Sequence, residues 1–337
     1  MQTDAAASAA EIPGLVIRQY AGEADIPEIV RLTNADLAAD GVRERVGIGE
    51  LASQFRRASD AFDPVRDILM AESDGVVIGT VRIDWVDTTD GKREFRSRGA
   101  VDPAWRRQGI GRRLLTAATE LMRERLAERP TDLPVAIGMF IDDKQVAREA
   151  LARSEGYQPV RWFFEMERSV EGELPAEPVL PDGTELRPAG RDDAHRIWDA
   201  DHEAFRDHWG GFDTSEGAFL RWVESDEFQP ELFVVAWDGD QIAGAVLNTI
   251  YHDENVELGM RRGWLNSVFT RRPWRGRGLA RALIGRSLRV LADQGIDTAA
   301  LGVDADNPSG ALRLYESCGF AVGDRGAAWQ RPLEAAR

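Results

Sequence analysis

Apolar positions along this chain follow two different periods. From Glu231 to Trp237 they form a strand-like run, the turn Asp238-Gly239-Asp240 follows, and a second run covers Gln241 to Tyr251, the pattern of a hairpin. The same pattern occurs earlier, with Ile68 to Glu72, the turn Ser73-Asp74-Gly75, and Val76 to Trp85. A short strand ending near Phe269 then leads into a glycine-containing loop. From about Gly278 to Gln294 the residues Leu279, Ala282, Leu283, Leu288 and Leu291 keep helical spacing. Thr298 to Val303 reads as a last strand, and a second helix starts after Asn307-Pro308, where proline suits a first helical turn. Strands and helices interleave, which predicts a mixed α/β fold.

The pattern occurs twice because the sequence does. Ala104-Trp105-Arg106-Arg107-Gln108-Gly109-Ile110-Gly111-Arg112 answers to Pro273-Trp274-Arg275-Gly276-Arg277-Gly278-Leu279-Ala280-Arg281 at a shift of 169 residues, and Glu155-Gly156-Tyr157 falls on Cys318-Gly319-Phe320 at a shift of 163. A period this long predicts two copies of one domain rather than a solenoid. Between them a stretch rich in proline and acid reads as a linker over residues 169–182, with the boundary near residue 178, so that the domains span 14–168 and 183–333.

Composition narrows the function classes. The 337 residues include 58 acidic and 42 basic side chains, a net charge of −16, which argues against nucleic acid as a partner. No apolar run is long enough to span a membrane, and the first residues lack the basic segment and apolar core of a secretion signal, so a cytoplasmic protein is expected. The single cysteine, Cys318, excludes an internal disulfide and a cysteine-based metal cluster. No His/Asp/Glu set has metal-ligand spacing, so no metal is expected.

Against that acidic background, Arg271, Arg272, Arg275, Arg277 and Arg281 put five positive charges into eleven residues with no acid among them. They surround a loop between a strand and a helix, where main-chain N–H groups and the unpaired amides of the first helical turn converge on one point and suit a phosphate. Gly276 and Gly278 let the backbone come close to a pyrophosphate. The Walker loop is excluded by the missing Gly-Lys-Ser/Thr, and the Rossmann fingerprint by its missing setting.

Arg275-x-x-Gly278-x-Ala280 and Arg106-x-x-Gly109-x-Gly111 resemble the pyrophosphate loop of the GNAT N-acetyltransferases, and Asn307 to Phe320 resembles that family's last conserved helix. The resemblance spans both halves and is to the tandem, two-domain type. It implies two GNAT folds, each a mixed, mostly antiparallel sheet flanked by helices, and acetyl-CoA as co-substrate. It implies cofactor contacts for Val268, Phe269, Thr270, Arg275, Gly276, Arg277, Gly278, Leu279, Ala280, Arg281 and Asn307, and in the first half for Val101, Arg106, Arg107, Gly109, Gly111 and Arg112. Tyr315 would face the thioester sulfur as the acid. A thiol near 8.5 and a phenol near 10 differ by about 1.5 units, or about 2 kcal/mol, so hydrogen bonding to the leaving thiolate suffices. In the first copy Tyr315 answers to Ala152 and Asn307 to Lys144, which predicts a catalytically degenerate first domain that still binds CoA.

The base is open among Glu254, Glu257, His208 and Asp304, with Glu257 preferred; where tandem members carry a glutamate on the preceding strand, this chain has Trp264. The aromatic and acidic segment from His202 to Asp213 is placed to hold the acceptor. The expected reaction is acetyl transfer to the primary amine of a small molecule. Acetylation of a protein N-terminus or lysine, and a non-catalytic CoA-binding sensor, are the competing readings, and nothing in the sequence specifies the oligomeric state.

Overall fold

A computed structural model describes residues 12–172, 174, 179–206, 208–306 and 310–333. The expected boundary near residue 178 and the cofactor candidate Asn307 lie outside the described residues.

The first half runs β1 (Leu15–Gln19), α1 (Ile26–Ala39), α2 (Ile48–Phe55), α3 (Pro64–Asp67), β2 (Ile68–Ser73), β3 (Val76–Asp87), β4 (Arg93–Val101), α4 (Ile110–Glu128), β5 (Val135–Asp142), α5 (Val146–Ser154) and β6 (Gln158–Ser169). The second half repeats this with β7 (Glu185–Arg187), α6 (Ala194–Phe205), α7 (Glu216–Val223), β8 (Val234–Asp238), β9 (Gln241–Thr249), α8 (His252–Leu258), β10 (Arg262–Thr270), α9 (Leu279–Asp293), β11 (Thr298–Asp304), α10 (Ala311–Ser317) and β12 (Ala321–Pro332). Element limits foreseen from periodicity hold to within three residues in the hairpins and in α9. The six residues missing from the second copy come off the long helix and its exit loop, since α4 has 19 residues and α9 has 15.

The twelve strands among the described residues form one sheet in the order β1-β2-β3-β4-β5-β12-β6-β11-β10-β9-β8-β7. The halves do not stand side by side as separate beads. The last strand of the second half, β12, lies between β5 and β6 of the first, and β6 in turn lies between β12 and β11 of the second. The exchange is reciprocal. A shift of 163 lays β6 on β12, and in their antiparallel ladder Phe163 faces Gly326, its own repeat equivalent, so a pseudo-twofold axis passes between them.

Side chains of the exchanged strands enter the other half's core. Ala327 and Trp329 of β12 pack with Met122, Ile137 and Tyr157, whereas Met166 of β6 packs with Leu283, Leu301 and Phe320. Removing a buried tryptophan costs about 3–5 kcal/mol, so each half takes much of its stability from the other. Polar contacts follow the same seam: Arg161 of β6 holds Asp304 of β11 through two hydrogen bonds of 2.8 and 2.7 Å.

At the axis the space is tight. A β-carbon on Gly326 would run into the ring of Phe140 and reach 3.0 Å from the carbonyl oxygen of Ile141, whereas one on Gly302 in β11, on the far side of β6, would meet nothing within 4 Å. Gly326→Ala is therefore expected to lower stability by about 1–3 kcal/mol through overpacking, with Gly302→Ala close to neutral, in urea unfolding of the full chain. Equal midpoints for the two variants would contradict the packing at the axis.

Candidate active site

Each half contains a parallel strand pair that opens like a V. The strands β10 and β11 pair only from Arg262 to Trp264 with Thr298 to Ala300, and β4 and β5 only from Arg93 to Arg96 with Val135 to Gly138. Beyond those points an unpaired backbone edge faces the gap. The Arg271 N–H donates to the Ala243 carbonyl at 3.0 Å, so by the alternation of an antiparallel ladder Phe269 also bonds toward β9, while Val268 and Thr270 turn their amides into the gap. Thus two of the three residues expected along the cofactor arm present their backbone to the gap; Phe269 instead turns away and buries its ring in the cluster of Ile197 and Trp237. A bulge between Leu265 and Ser267 bends β10 where the V begins, and the β3–β4 ladder of the first half has none.

At the mouth of the V sits the loop. Gly276 and Gly278 have φ of 74° and 85°, and Gly109 has 86°. Position 276 answers to Arg107, which adopts φ 65° with a side chain that disfavours it. Gly278 and Gly109 cap α9 and α4, and the first backbone bonds there are Ala282 to Gly278 and Arg113 to Gly109. The amides of Leu279, Ala280 and Arg281, and of Ile110, Gly111 and Arg112, are therefore the unpaired first turn of a helix, open to an anion. The arginines divide by task. Arg275 donates to the carbonyls of Thr270 and Ala204, and Arg281 to Ser317, as Arg112 does to Ser154 and Glu155; these brace the loop against its neighbours. Arg106 is clamped by Asp36 and Asp40. Arg277 is exposed beside the loop.

In the first half the loop opens onto a cleft of about 1150 Å³ that reaches Val101, Gly99 and Met139 inside the V. Ala152 of α5 is fully buried in the first-half core rather than lining the cleft, and Lys144 is drawn off to Asp324 at 2.5 Å. In the second half Tyr315 of α10 is buried, its ring edge-on to Phe320 at 6.3 Å, and burial pushes its hydroxyl up to about 12.

A separate pocket of about 270 Å³ adjoins the bulge, between α6, α7 and the strands β9 and β10. Its wall includes Asp201, His202, Phe212, Asp213, Glu227 and Ser267. The Ser267 hydroxyl donates to the Asp201 carboxylate, and burial pushes both Asp201 and Glu227 above the usual carboxylate range. Tyr251, which accepts from Asn266 at 3.0 Å, is likewise raised by burial.

None of the four base candidates read from the sequence lines this pocket. Glu257 accepts from Asn34 at 3.1 Å and pairs with Arg45 at 3.3 Å, both in the first half. Glu254 pairs with Arg262, Asp304 with Arg161, and His208 bonds to the carbonyl of Trp209. These are joints between or within the halves. Asp201 and Glu227 escaped the sequence reading because pocket lining depends on how α6 and the loop before β8 dock. The available signal was the flagged segment starting at His202, the neighbour of Asp201.

The joint itself is charged. Arg262, fully buried, donates to Glu165 at 2.8 Å and to the Arg43 carbonyl at 2.7 Å, meets Glu254 at 3.1 Å, and lies 4.5 Å over the Trp264 ring. On the first-half side, α2 brings Glu50 beside Glu227; burial, with that second charge, pushes Glu50 up to about 7.

Two V-shaped strand openings, each with a phosphate-suited loop at its mouth, define the fold of an acyl-CoA-dependent transferase. The sequence model of the Acetyltransferase (GNAT) family matches residues 36–140 and 194–320, and the chain belongs to that family, whose members take an acetyl group from acetyl-CoA. Among its relatives, a mycothiol acetyltransferase of Geodermatophilus obscurus is 30% identical over 312 residues, covering 91% of this chain and 94% of that one, and one of Corynebacterium efficiens is 29% identical over 86% and 89%. A GCN5-related N-acetyltransferase from Sphaerobacter thermophilus superposes with a TM-score of 0.70 at 26% identity over 97% and 98% of the two chains. A tandem GNAT protein from the clavulanic acid biosynthesis pathway matches in fold, with a TM-score of 0.70 at 18% identity over 96% and 99%.

The loop geometry makes Arg107→Gly neutral or stabilising by up to about 1 kcal/mol, whereas Gly278→Ala costs about 1–2 kcal/mol, because only the first relieves a left-handed residue; paired thermal melts check this. The raised carboxyl of Glu50 has a pH signature. A folded pKa of about 7 against an ordinary 4.5 means that the folded state holds the proton more tightly. Its contribution to stability is complete below about pH 4.5 and is lost as pH rises through 7. Glu50→Gln should therefore show a smaller fall in unfolding midpoint between pH 5 and 8 than the parent protein does.

Proposed function

We propose that the second half is the catalytic one and transfers acetyl from acetyl-CoA to the primary amine of a small molecule. What supports this reading is that the second half combines a bulge in β10, a pocket beside it at Ser267, and Tyr315 on α10, the helix that packs on β11. The pyrophosphate lies on the amides of Leu279 to Arg281, and the pantetheine arm pairs with Val268 and Thr270. The acceptor enters through the Asp201 and Glu227 pocket. The names of the curated relatives make mycothiol lacking its acetyl group the first acceptor to try.

Attack by the amine requires that it lose a proton, that the tetrahedral oxyanion be held, and that the thiolate be stabilised. Asp201, held by Ser267 next to the bulge, is the base in this reading; Glu257, committed to Asn34 and Arg45, is not. Backbone N–H groups of β10 at the bulge receive the oxyanion. Tyr315 at about 12 lies roughly 3.5 units above a free thiol, about 5 kcal/mol uphill for full transfer, so it stabilises the thiolate by donating a hydrogen bond.

The first half keeps its loop and a cleft, yet has Ala152 and Lys144 where chemistry would need Tyr and Asn, so it binds at its loop without turnover.

Thiol release from acetyl-CoA, followed over a panel of amines, tests the assignment. Tyr315→Phe is expected to lower kcat about 10²-fold, and Asp201→Asn to lower kcat/KM by a similar factor and abolish the acid limb of its pH profile. Full activity in both variants, or no thiol release with any amine, would refute the reading.

A further inference from the structure

The two V-shaped openings differ at two facing positions that the reaction does not use. In the second half, these positions are the small, half-buried Ala204 on α6 and Ala311 on α10. Their repeat equivalents, at shifts of 168 and 163, are Asp36 and Arg148. The first shift is supported by contacts: Arg275 donates to the Ala204 carbonyl and Arg106 to the Asp36 carbonyl, and Ile29 and Leu32 are buried as Ile197 and Ala200 are.

Two small side chains are thus replaced by an ion pair, and the pair reaches across the cleft. One terminal nitrogen of Arg148 donates to the Asp36 carboxylate at 2.7 Å and to the carbonyl of Gly99 at 2.7 Å. Gly99 is the repeat equivalent of Val268. The Asp102 N–H donates to the Ile78 carbonyl at 2.9 Å, so by strand alternation Ala100 bonds toward β3, and Gly99 and Val101 face the gap. Arg148 therefore holds the backbone rung on which the amide of a pantetheine arm would lie. Asp36 is buried and also holds Arg106, so the guanidinium is anchored on a rigid partner. The loop at Gly109 to Arg112 stays open at the other end of the same cleft.

We propose that Arg148 makes the first-half cleft selective for the nucleotide end of coenzyme A: it admits a nucleoside diphosphate at the loop and bars the pantetheine arm from the strand edge. This rests on the reading of that loop as a pyrophosphate site. The first half then responds to any ligand carrying the adenosine diphosphate moiety, whatever its thiol or acyl end.

Calorimetry on the full chain tests this, with Gly278→Glu silencing the second-half loop and with CoA and 3′-phosphoadenosine 5′-diphosphate as probes. With Arg148 in place the two Kd values agree within about threefold, since the arm adds nothing. In Arg148→Met the CoA Kd falls at least tenfold while that of the nucleotide does not move; Arg148→Gln, too short to span the cleft, gives the same split should the Met variant fold poorly. CoA binding tenfold tighter than the nucleotide in the presence of Arg148, or an unchanged ratio in both variants, overturns the proposal. Absence of binding by either probe overturns the pyrophosphate reading of the loop, and the proposal with it. In the mirror experiment, Ala311→Arg with Gly109→Glu weakens CoA at the second half at least tenfold and leaves the nucleotide unaffected; equal weakening of both overturns the proposal.

Discussion

The antiparallel pairing of β6 with β12 is the constraint on which everything else rests. It joins two six-stranded halves of the sheet into one, and it does so by exchange rather than by contact, so that Trp329 completes the first core and Met166 the second. Backbone groups at the edge of an isolated half would be left without partners, a condition proteins avoid. The exchange also fixes where the halves face each other, which brings α8 against Asn34 and Arg45 and Glu50 of α2 beside Glu227.

On that symmetric frame the two openings are asymmetric, and the asymmetry is confined to a few side chains. The loops are braced in the same way, by Arg112 on Ser154 and by Arg281 on Ser317. The openings differ where an acyl group would react: a bulge and Tyr315 on one side, a continuous ladder and Ala152 on the other. A duplicated scaffold needs only such local substitutions to separate binding from turnover, because the strand geometry that creates the gap is carried by backbone pairing.

Much of the fold was legible in the sequence. The hairpins were visible from alternating apolar residues and Asp-Gly turns, α9 from its Leu spacing, and the duplication from the Trp-Arg loop. The loop residues were legible too, since glycine with positive φ and arginine in an acidic chain leave local marks. The base was not. Glu254, Glu257, His208 and Asp304 are titratable residues close in sequence to the second-half loop and helices, yet tertiary contact commits Glu254, Glu257 and Asp304 to ion pairs or hydrogen bonds with the first half. Phe269 illustrates the same limit at finer scale: whether its amide faces the gap or β9 depends on the register around a bulge that no local pattern announces.

What the sequence determined by itself is what depends on near neighbours: element type, the repeat, the anion-suited loop and the loss of Tyr and Asn from the first copy. The tertiary structure alone decided which strands pair across the two halves, which carboxylates are tied up in the joint, and that Asp201 lines a pocket beside the bulge. The reason is physical. Periodicity and turn chemistry act over a few residues, whereas strand order and ion pairing bring together positions such as Arg161 and Asp304, 143 residues apart, and are settled only when the cores close.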